Sequence, residues 1–267
     1  MQAAAGPALT CRPLAVLAPH LFTTRHWPLG SAATAEDDPA PWEDVARAMQ
    51  VEPGRLVRVR QVHGAAVAIA ENARGRPPEA DILVSAESAL ALVVQAADCV
   101  PLLMADRRTG AIAAAHAGWR GLAAGVPAIA VASLVREFGS RPADLIVAVG
   151  PAIGACCYEV GGDVRERFAA ARASGDRWER WFRTSPAGSA ANPSMPRAAG
   201  ARRADRWFFD AWTASGDQLT AAGVPADQIF VARLCTASHP GVLCSYRRDG
   251  PPAGRIAAAI RSAPLHP

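Results

Sequence analysis

The chain has no run of about five or six basic residues, no apolar stretch of the ~20 residues that a bilayer span needs, and no CxxC pair. The first absence argues against nucleic-acid binding. Net charge is +4 and the pI about 9.0, but arginine carries the positive charge and is scattered along the sequence. The second removes a membrane-spanning helix. The first twenty residues also lack a charged n-region and a long apolar h-region, so no signal peptide is expected. The cysteines stand at positions 11, 99, 156, 157, 235 and 244 without the spacing of a disulfide scaffold. They read as reduced thiols, and the expected compartment is the cytoplasm. Internal repeats are missing, and no linker is clean enough to cut the chain in two.

What is present suffices for a large core. Of 267 residues, 51% are hydrophobic and 19% charged, which excludes global disorder. Strand patterns run from Leu21 toward Arg25 and over Leu56–Arg60, Val67–Ala70, Ile82–Ser85, Ala91–Gln95, Pro101–Ala105, Ala111–Ala115, Leu145–Val149, Ile229–Ala232 and Arg255–Ile260. Helical spacing covers Trp42–Gln50, a stretch opening at Gly125-Val126-Pro127 and running to Phe138, and Trp207–Ala222. Asp163 with Glu166 three residues on reads as a capping box that starts a helix through Arg172. Closely spaced strands without intervening helices predict antiparallel or mixed pairing. The expected fold is α+β: a single domain over 1–267, of mixed β-sheets with flanking helices. From Thr184 to Arg203 the composition collapses into Ser, Pro, Ala, Gly and Arg, the pattern of a flexible surface excursion.

Chemistry concentrates between Ala96 and Gly125, AADCVPLLMADRRTGAIAAAHAGWRGLAAG. Cys99 follows Asp98 after the apolar run Leu90–Val94. His116 ends a second apolar run and precedes a glycine-broken turn. The strand at Leu56–Arg60 delivers Gln61 and His63 at its end. Two chemistries fit these residue types. Cys99 is a thiolate nucleophile with His116 as its base, or Cys99, His116 and His63 are three metal ligands with a fourth position open, the pattern of catalytic zinc. The spacing from His63 to Cys99 to His116 matches no local finger motif, so both stay open on the residues alone.

The segments RQVHG, QAADCVPLLMAD, AAHAGWRG, VGPAIGACCYEVG and SYRRDG, in this order between Leu56 and Ile260, resemble the YfiH-type laccase-domain family. That family is also described as polyphenol oxidases, purine nucleoside phosphorylases and peptidoglycan editing factors. The resemblance implies one α+β domain with zinc held by His63, Cys99 and His116. It further implies phosphorolysis of adenosine, inosine and methylthioadenosine, with some adenosine deamination. The chain departs from the family pattern after Thr24-Arg25, where HWPLGS replaces a glycine-rich stretch, and at Cys244, where an aromatic residue usually precedes SYRR.

Copper takes a His2Cys set as well, usually with a weak axial methionine. A conventional multicopper laccase needs more histidines than the six in this chain, so zinc is favoured over copper. Phosphorolysis needs an anion pocket beside the metal. Its candidates are Arg25, Arg60, Arg120, Arg247 and Arg248, since a guanidinium binds oxyanions in bidentate fashion, and Gln61 is a further candidate for binding substrate. Cys156, Cys157 and Cys235 read as packing residues of a turn rather than further ligands. Competing readings are a peptidoglycan-precursor editing hydrolase acting on a nucleotide-sugar amino acid, a copper polyphenol oxidase, and a metal-binding protein without turnover. The expected partners are small molecules only.

Overall fold

The structure is a computed structural model and describes residues 6–30, 40–71, 77–171, 175–196 and 205–263. In chain order its strands are β1 (Ala8–Leu9), β2 (His20–Thr23), β3 (Leu56–Val57), β4 (Val67–Ile69), β5 (Ile82–Ser85), β6 (Ala91–Ala96), β7 (Val100–Asp106), β8 (Ile112–Ala117), β9 (Leu145–Val149), β10 (Glu159–Gly161), β11 (Phe182–Arg183), β12 (Arg206–Phe209), β13 (Ile229–Val231) and β14 (Ile256–Arg261). The helices are α1 (Arg12–Ala15), α2 (Ala40–Ala48), α3 (Trp119–Ala124), α4 (Val126–Phe138), α5 (Gly162–Ala170), α6 (Ala211–Ala221) and α7 (Tyr246–Asp249).

The strands form a five-stranded sheet in the order β1-β2-β14-β6-β3, a six-stranded sheet in the order β13-β9-β7-β8-β5-β4, and a small sheet β10-β12-β11. Pairing is mixed: β3 with β6, β4 with β5 and β9 with β13 are parallel, and the other pairs are antiparallel. The two large sheets pack face to face, and strand alternation says why. On β8, Ile112 and Ala114 face the inter-sheet core, where they meet Leu92 and Val94 of β6 and Ala258 and Ile260 of β14. Ala113 and Ala115 point the other way, into the layer with Leu134 of α4 and Leu219 of α6. The outer face of the five-stranded sheet, with Val93 and Ala259, is covered by Trp42, Val45 and Met49 of α2 and the residue after it. The result is a helix–sheet–sheet–helix stack, the mixed-sheet single fold expected from the pattern of strands. None of the described helices is long and apolar enough to cross a membrane.

Several local expectations need correction. The helix expected from Trp207 begins at Ala211, because Trp207, Phe208 and Phe209 form β12 and Phe209 stacks on Phe182 at 5.0 Å between centroids. Asp210 then caps the helix by accepting the Thr213 N–H at 3.0 Å. Asp163 is not a cap: α5 starts at Gly162 with Gly161 in the cap position, which places Asp163 inside the first turn. Only Leu56 and Val57 of the Leu56–Arg60 strand join a sheet, and Arg60 instead bridges to Glu79. The glycine-broken turn after His116 is largely the helix α3, and Gly125 at φ 85° supplies the left-handed junction to α4.

The excursion at 184–203 also reads differently where it is described. Asn192 is only 9% exposed. Its Oδ1 accepts the buried Cys235 N–H at 2.8 Å and its Nδ2 donates to the Arg233 carbonyl at 2.9 Å. The Ala187 N–H donates to the Ala155 carbonyl at 3.1 Å. Residues 184–196 are therefore tied to the body, while 197–203 lie outside the described residues. Asn192→Ala would strand the buried Cys235 N–H, at a cost of about 1–3 kcal/mol. A lowered guanidinium midpoint at unchanged slope is the expected result; an unchanged midpoint would make the segment a free surface loop after all.

Candidate metal centre and active site

Register brings two of the expected residues together. Pro101 of β7 lies opposite His116 of β8, and Cys99 is two residues back from Pro101, so period-2 alternation puts Cys99 and His116 on one side of the pair. Gly118 lies one step beyond the end of β8. A Cβ there would stand 2.9 Å from Cys99 Sγ and 3.2 Å from His63 Cδ2, closer than real Cβ atoms approach sulfur. Only glycine leaves the thiol its place.

His63 arrives from the loop between β3 and β4, with φ at 58°, a left-handed conformation that a non-glycine residue adopts at a cost of about 1–3 kcal/mol. Asp81, the residue before β5, compensates for it. Its carboxylate is fully buried and accepts the N–H groups of Val62 (3.3 Å), His63 (3.1 Å) and Gly64 (2.6 Å). The same carboxylate accepts a hydrogen bond from His116 Nδ1 at 2.8 Å. That contact leaves Nε2 as the ring nitrogen available to the cluster. The two imidazoles meet edge to face, centroids 4.9 Å apart at 85°. One ligand atom each from His63, Cys99 and His116 then lies within 4.8 Å of the others.

The electrostatics match that assembly. Burial raises the Cys99 pKa, but the His116 charge and hydrogen bonds from both histidines outweigh it and bring the thiol down from 9.0 to about 6. Burial likewise lowers His116, and the Cys99 thiolate together with Asp81 overcomes it, lifting the imidazole to about 9. Asp81 ends below the usual carboxylate range: burial raises it, and the His116 and backbone hydrogen bonds more than reverse that. Two nitrogen donors, a thiolate and an oriented second-layer carboxylate are what a three-ligand zinc site uses. The residues present fit a metal ion.

The cluster forms the floor of a cavity of about 430 Å³ that Arg60, Gln61, Asp98, Tyr158, Tyr246, Arg247 and Arg255 also line. Of the expected anion binders, Arg247 is placed best. Its guanidinium lies 5.3 Å from the Tyr158 ring centroid and donates to the Glu159 carbonyl at 2.8 Å. Arg60 lines the cavity but pairs with Glu79. Gln61 spends its amide on the Gln95 backbone, donating at 2.8 Å and accepting at 2.7 Å, so it clamps the wall. Arg25, Arg120 and Arg248 are not among the lining residues. Arg25 donates to the Pro240 carbonyl, and Arg120 covers the Trp119 ring at 4.4 Å. Arg248 is consumed by the carbonyls of Thr236, Ala237 and Leu243 and by Asp249. It holds the Ser245–Gly250 segment shut.

Sequence reasoning missed Asp81, Tyr158, Tyr246 and Arg255. The only signal for Asp81 was an acid abutting the apolar run Ile82–Val84. Asp98 also matters more than its position suggested. At φ 94° it accepts Thr236 Oγ1 at 2.6 Å and the Arg247 N–H at 2.6 Å, which latches the distant 236–247 region to the Cys99 turn. A thiol pKa lowered to about 6 means that thiolate persists above that pH and is lost below it. In metal-stripped protein, iodoacetamide labelling of Cys99, read by peptide mapping, should therefore reach half its maximal rate near pH 6. Asp81→Asn, which withdraws charge from His116, should move the midpoint upward. A midpoint near the ordinary 9.0 would refute the coupling.

Comparison with known proteins comes down on one family. A purine nucleoside phosphorylase of Pseudomonas aeruginosa, PA4543, is 36% identical over 236 residues, 87% of this chain and 85% of that protein. One from Bacteroides thetaiotaomicron is 34% identical over 181 residues, 67% of this chain; the chain spans 60% of that relative's length. The crystal structure of YlmD from Geobacillus stearothermophilus superposes with a TM-score of 0.77 at 29% identity, covering 98% of each chain. The model of the multi-copper polyphenol oxidoreductase laccase family matches residues 34–263, and the chain belongs to that family.

Proposed function

We propose that the chain is a zinc-dependent purine nucleoside phosphorylase acting on adenosine, inosine and methylthioadenosine, with adenosine deamination as a side activity. The observation that carries the reading is the cavity itself. Its floor is His63, Cys99 and His116, Arg247 stands on its wall, and Tyr158 and Tyr246 flank it. About 430 Å³ is the size class of a small-ligand site. The names of the relatives point to the same chemistry. A donor set of two histidines and one cysteine, with no methionine among the described residues that line the cavity, favours zinc over the copper of the family's description. Free thiols throughout fit a reducing compartment, the cytoplasm.

In phosphorolysis an oxygen of inorganic phosphate attacks C1′ of the ribose. The C1′–N9 bond breaks, and its electron pair leaves with the purine. Arg247 supplies the anion contact: one nitrogen is held by the Glu159 carbonyl, which fixes the guanidinium plane for a bidentate grip. Arg255, whose NH1 is held by the Ala253 carbonyl, adds charge on the same cavity. Tyr246, exposed at the cavity, offers a face for the base. Asp81 keeps His116 in one orientation, and Asp98 sets the Arg247 backbone. Zinc at His63, Cys99 and His116 supplies Lewis acidity and, by lowering the pKa of water, a route to deamination.

Adenosine breakdown should require phosphate and yield adenine with ribose 1-phosphate. Losing charge-assisted contacts of about 1.5–3 kcal/mol, Arg247→Ala should raise the phosphate KM or cut kcat by roughly tenfold or more. Deamination to inosine should survive that change better. Adenine release at an equal rate without phosphate would rule out phosphorolysis and transfer the site to hydrolysis.

A further inference from the structure

A second group of sulfurs meets behind the cavity wall. Cys156 and Cys157 lie in the turn between β9 and β10, and Cys235 follows β13. All three are buried, and their Sγ atoms lie within 4.8 Å of one another. Their sequence context is that of packing residues in a turn. Two features go beyond packing. Backbone donors aim at individual sulfurs: the Gly154 N–H at Cys235 Sγ (3.3 Å) and the Met195 N–H at Cys157 Sγ (3.4 Å). Ser238 Oγ stands 3.6 Å from Cys156 Sγ and 3.5 Å from Cys157 Sγ. Its proton is committed to the Pro193 carbonyl at 2.7 Å, which can only accept, so its lone pairs remain for the sulfur side.

We propose that Cys156, Cys157 and Cys235, with Ser238 as fourth ligand, form a second metal site that takes one zinc ion as a structural staple. Zinc bonds of ~2.3 Å to sulfur and ~2.0 Å to oxygen set tetrahedral sulfur–oxygen edges of ~3.5 Å. The Ser238 contacts already have that length. Binding releases three thiol protons and leaves three thiolates on a divalent ion, a net charge of −1. A monovalent soft ion such as copper(I) would leave −2 in the same buried place, which burial penalises more heavily. The N–H donors to sulfur would stabilise the remaining negative charge.

The staple would join two separated stretches: the turn whose Ile153 and Tyr158 line the cavity, and Cys235–Ser238, whose Thr236 holds Asp98. The 192–196 segment, anchored by Asn192, supplies no ligand and is tied to the cluster by hydrogen bonds, through the Met195 N–H and the Pro193 carbonyl. The site is closed by protein ligands, unlike the open cluster on the cavity floor, so it would fix the wall without touching substrate.

Metal content of the full chain, purified under reducing conditions, tests this directly. About two zinc ions per chain are expected, about one in His63→Ala, about one in Cys235→Ser, and none in the double variant. Should Cys235→Ser fail to fold, cadmium-substituted wild type decides. Its thiolate-to-metal absorption should correspond to about four thiolates per chain rather than the one that Cys99 supplies. One zinc per wild-type chain with single-thiolate absorption would overturn the proposal. So would a shortfall of two titratable thiols in unreduced, unfolded protein, which would make the cluster a disulfide. Neither outcome bears on phosphorolysis, because the cavity-floor cluster is counted separately through His63→Ala.

Discussion

The carboxylate of Asp81 is the constraint on which the site depends. It accepts four hydrogen bonds, three from consecutive backbone N–H groups and one from His116. A carboxylate with that many donors stays ionised even when buried, and its pKa falls accordingly. The three N–H groups converge only because the chain turns through a left-handed residue at His63. The hydrogen bonds therefore offset the backbone strain, and the strain aims the imidazole. One buried charge thus sets the direction of two ligands, one from the loop between β3 and β4 and one from β8.

Asp98 has the same role on the opposite side. It too has a positive φ, and both its oxygens accept hydrogen bonds from residues nearly 140 positions or more downstream. Burial raises its pKa, and the hydrogen bonds from Thr236 and the Arg247 backbone pull against that shift. Asp81 closes the floor of the cavity, and Asp98 closes its rim. Strained non-glycine backbone at both points, next to the ligands themselves, is the pattern of a preorganised site.

Packing makes such a site possible. Alanines at 113–115 and 257–259 let the sheets and their flanking helices approach without long side chains between them. At Gly150 a Cβ would lie 2.3 Å from the Phe22 ring, and at Gly118 it would crowd Cys99. Close-packed interiors transmit such clashes rather than absorb them. The Cys156–Cys157–Cys235 cluster lies inside the same packed core, where the turn after β9 meets the chain that follows β13.

The periodicities of the sequence determined the strands of the two large sheets other than the edge strand β1, because alternation and burial are local properties. They also marked Cys99 and His116, since reactive side chains at strand ends stand out in an apolar context; His63 was marked by a strand expected to reach Arg60, which ends at Val57. Aromatic runs misled: Trp207-Phe208-Phe209 shares the helical spacing of the stretch up to Ala222, yet belongs to a strand because its packing partner, Phe182, lies far away in sequence. The arginines could not be sorted at all, since a guanidinium that grips carbonyls, as Arg248 does, and one that faces a cavity, as Arg247 does, carry the same local signature. Only tertiary structure decided that Asp81 joins the two histidines, that Asp98 ties in the 236–247 region, and that three cysteines meet. Each of those facts is a distance between residues separated by tens of positions or more, and such distances are set by sheet register and sheet stacking, which no local stretch of sequence encodes.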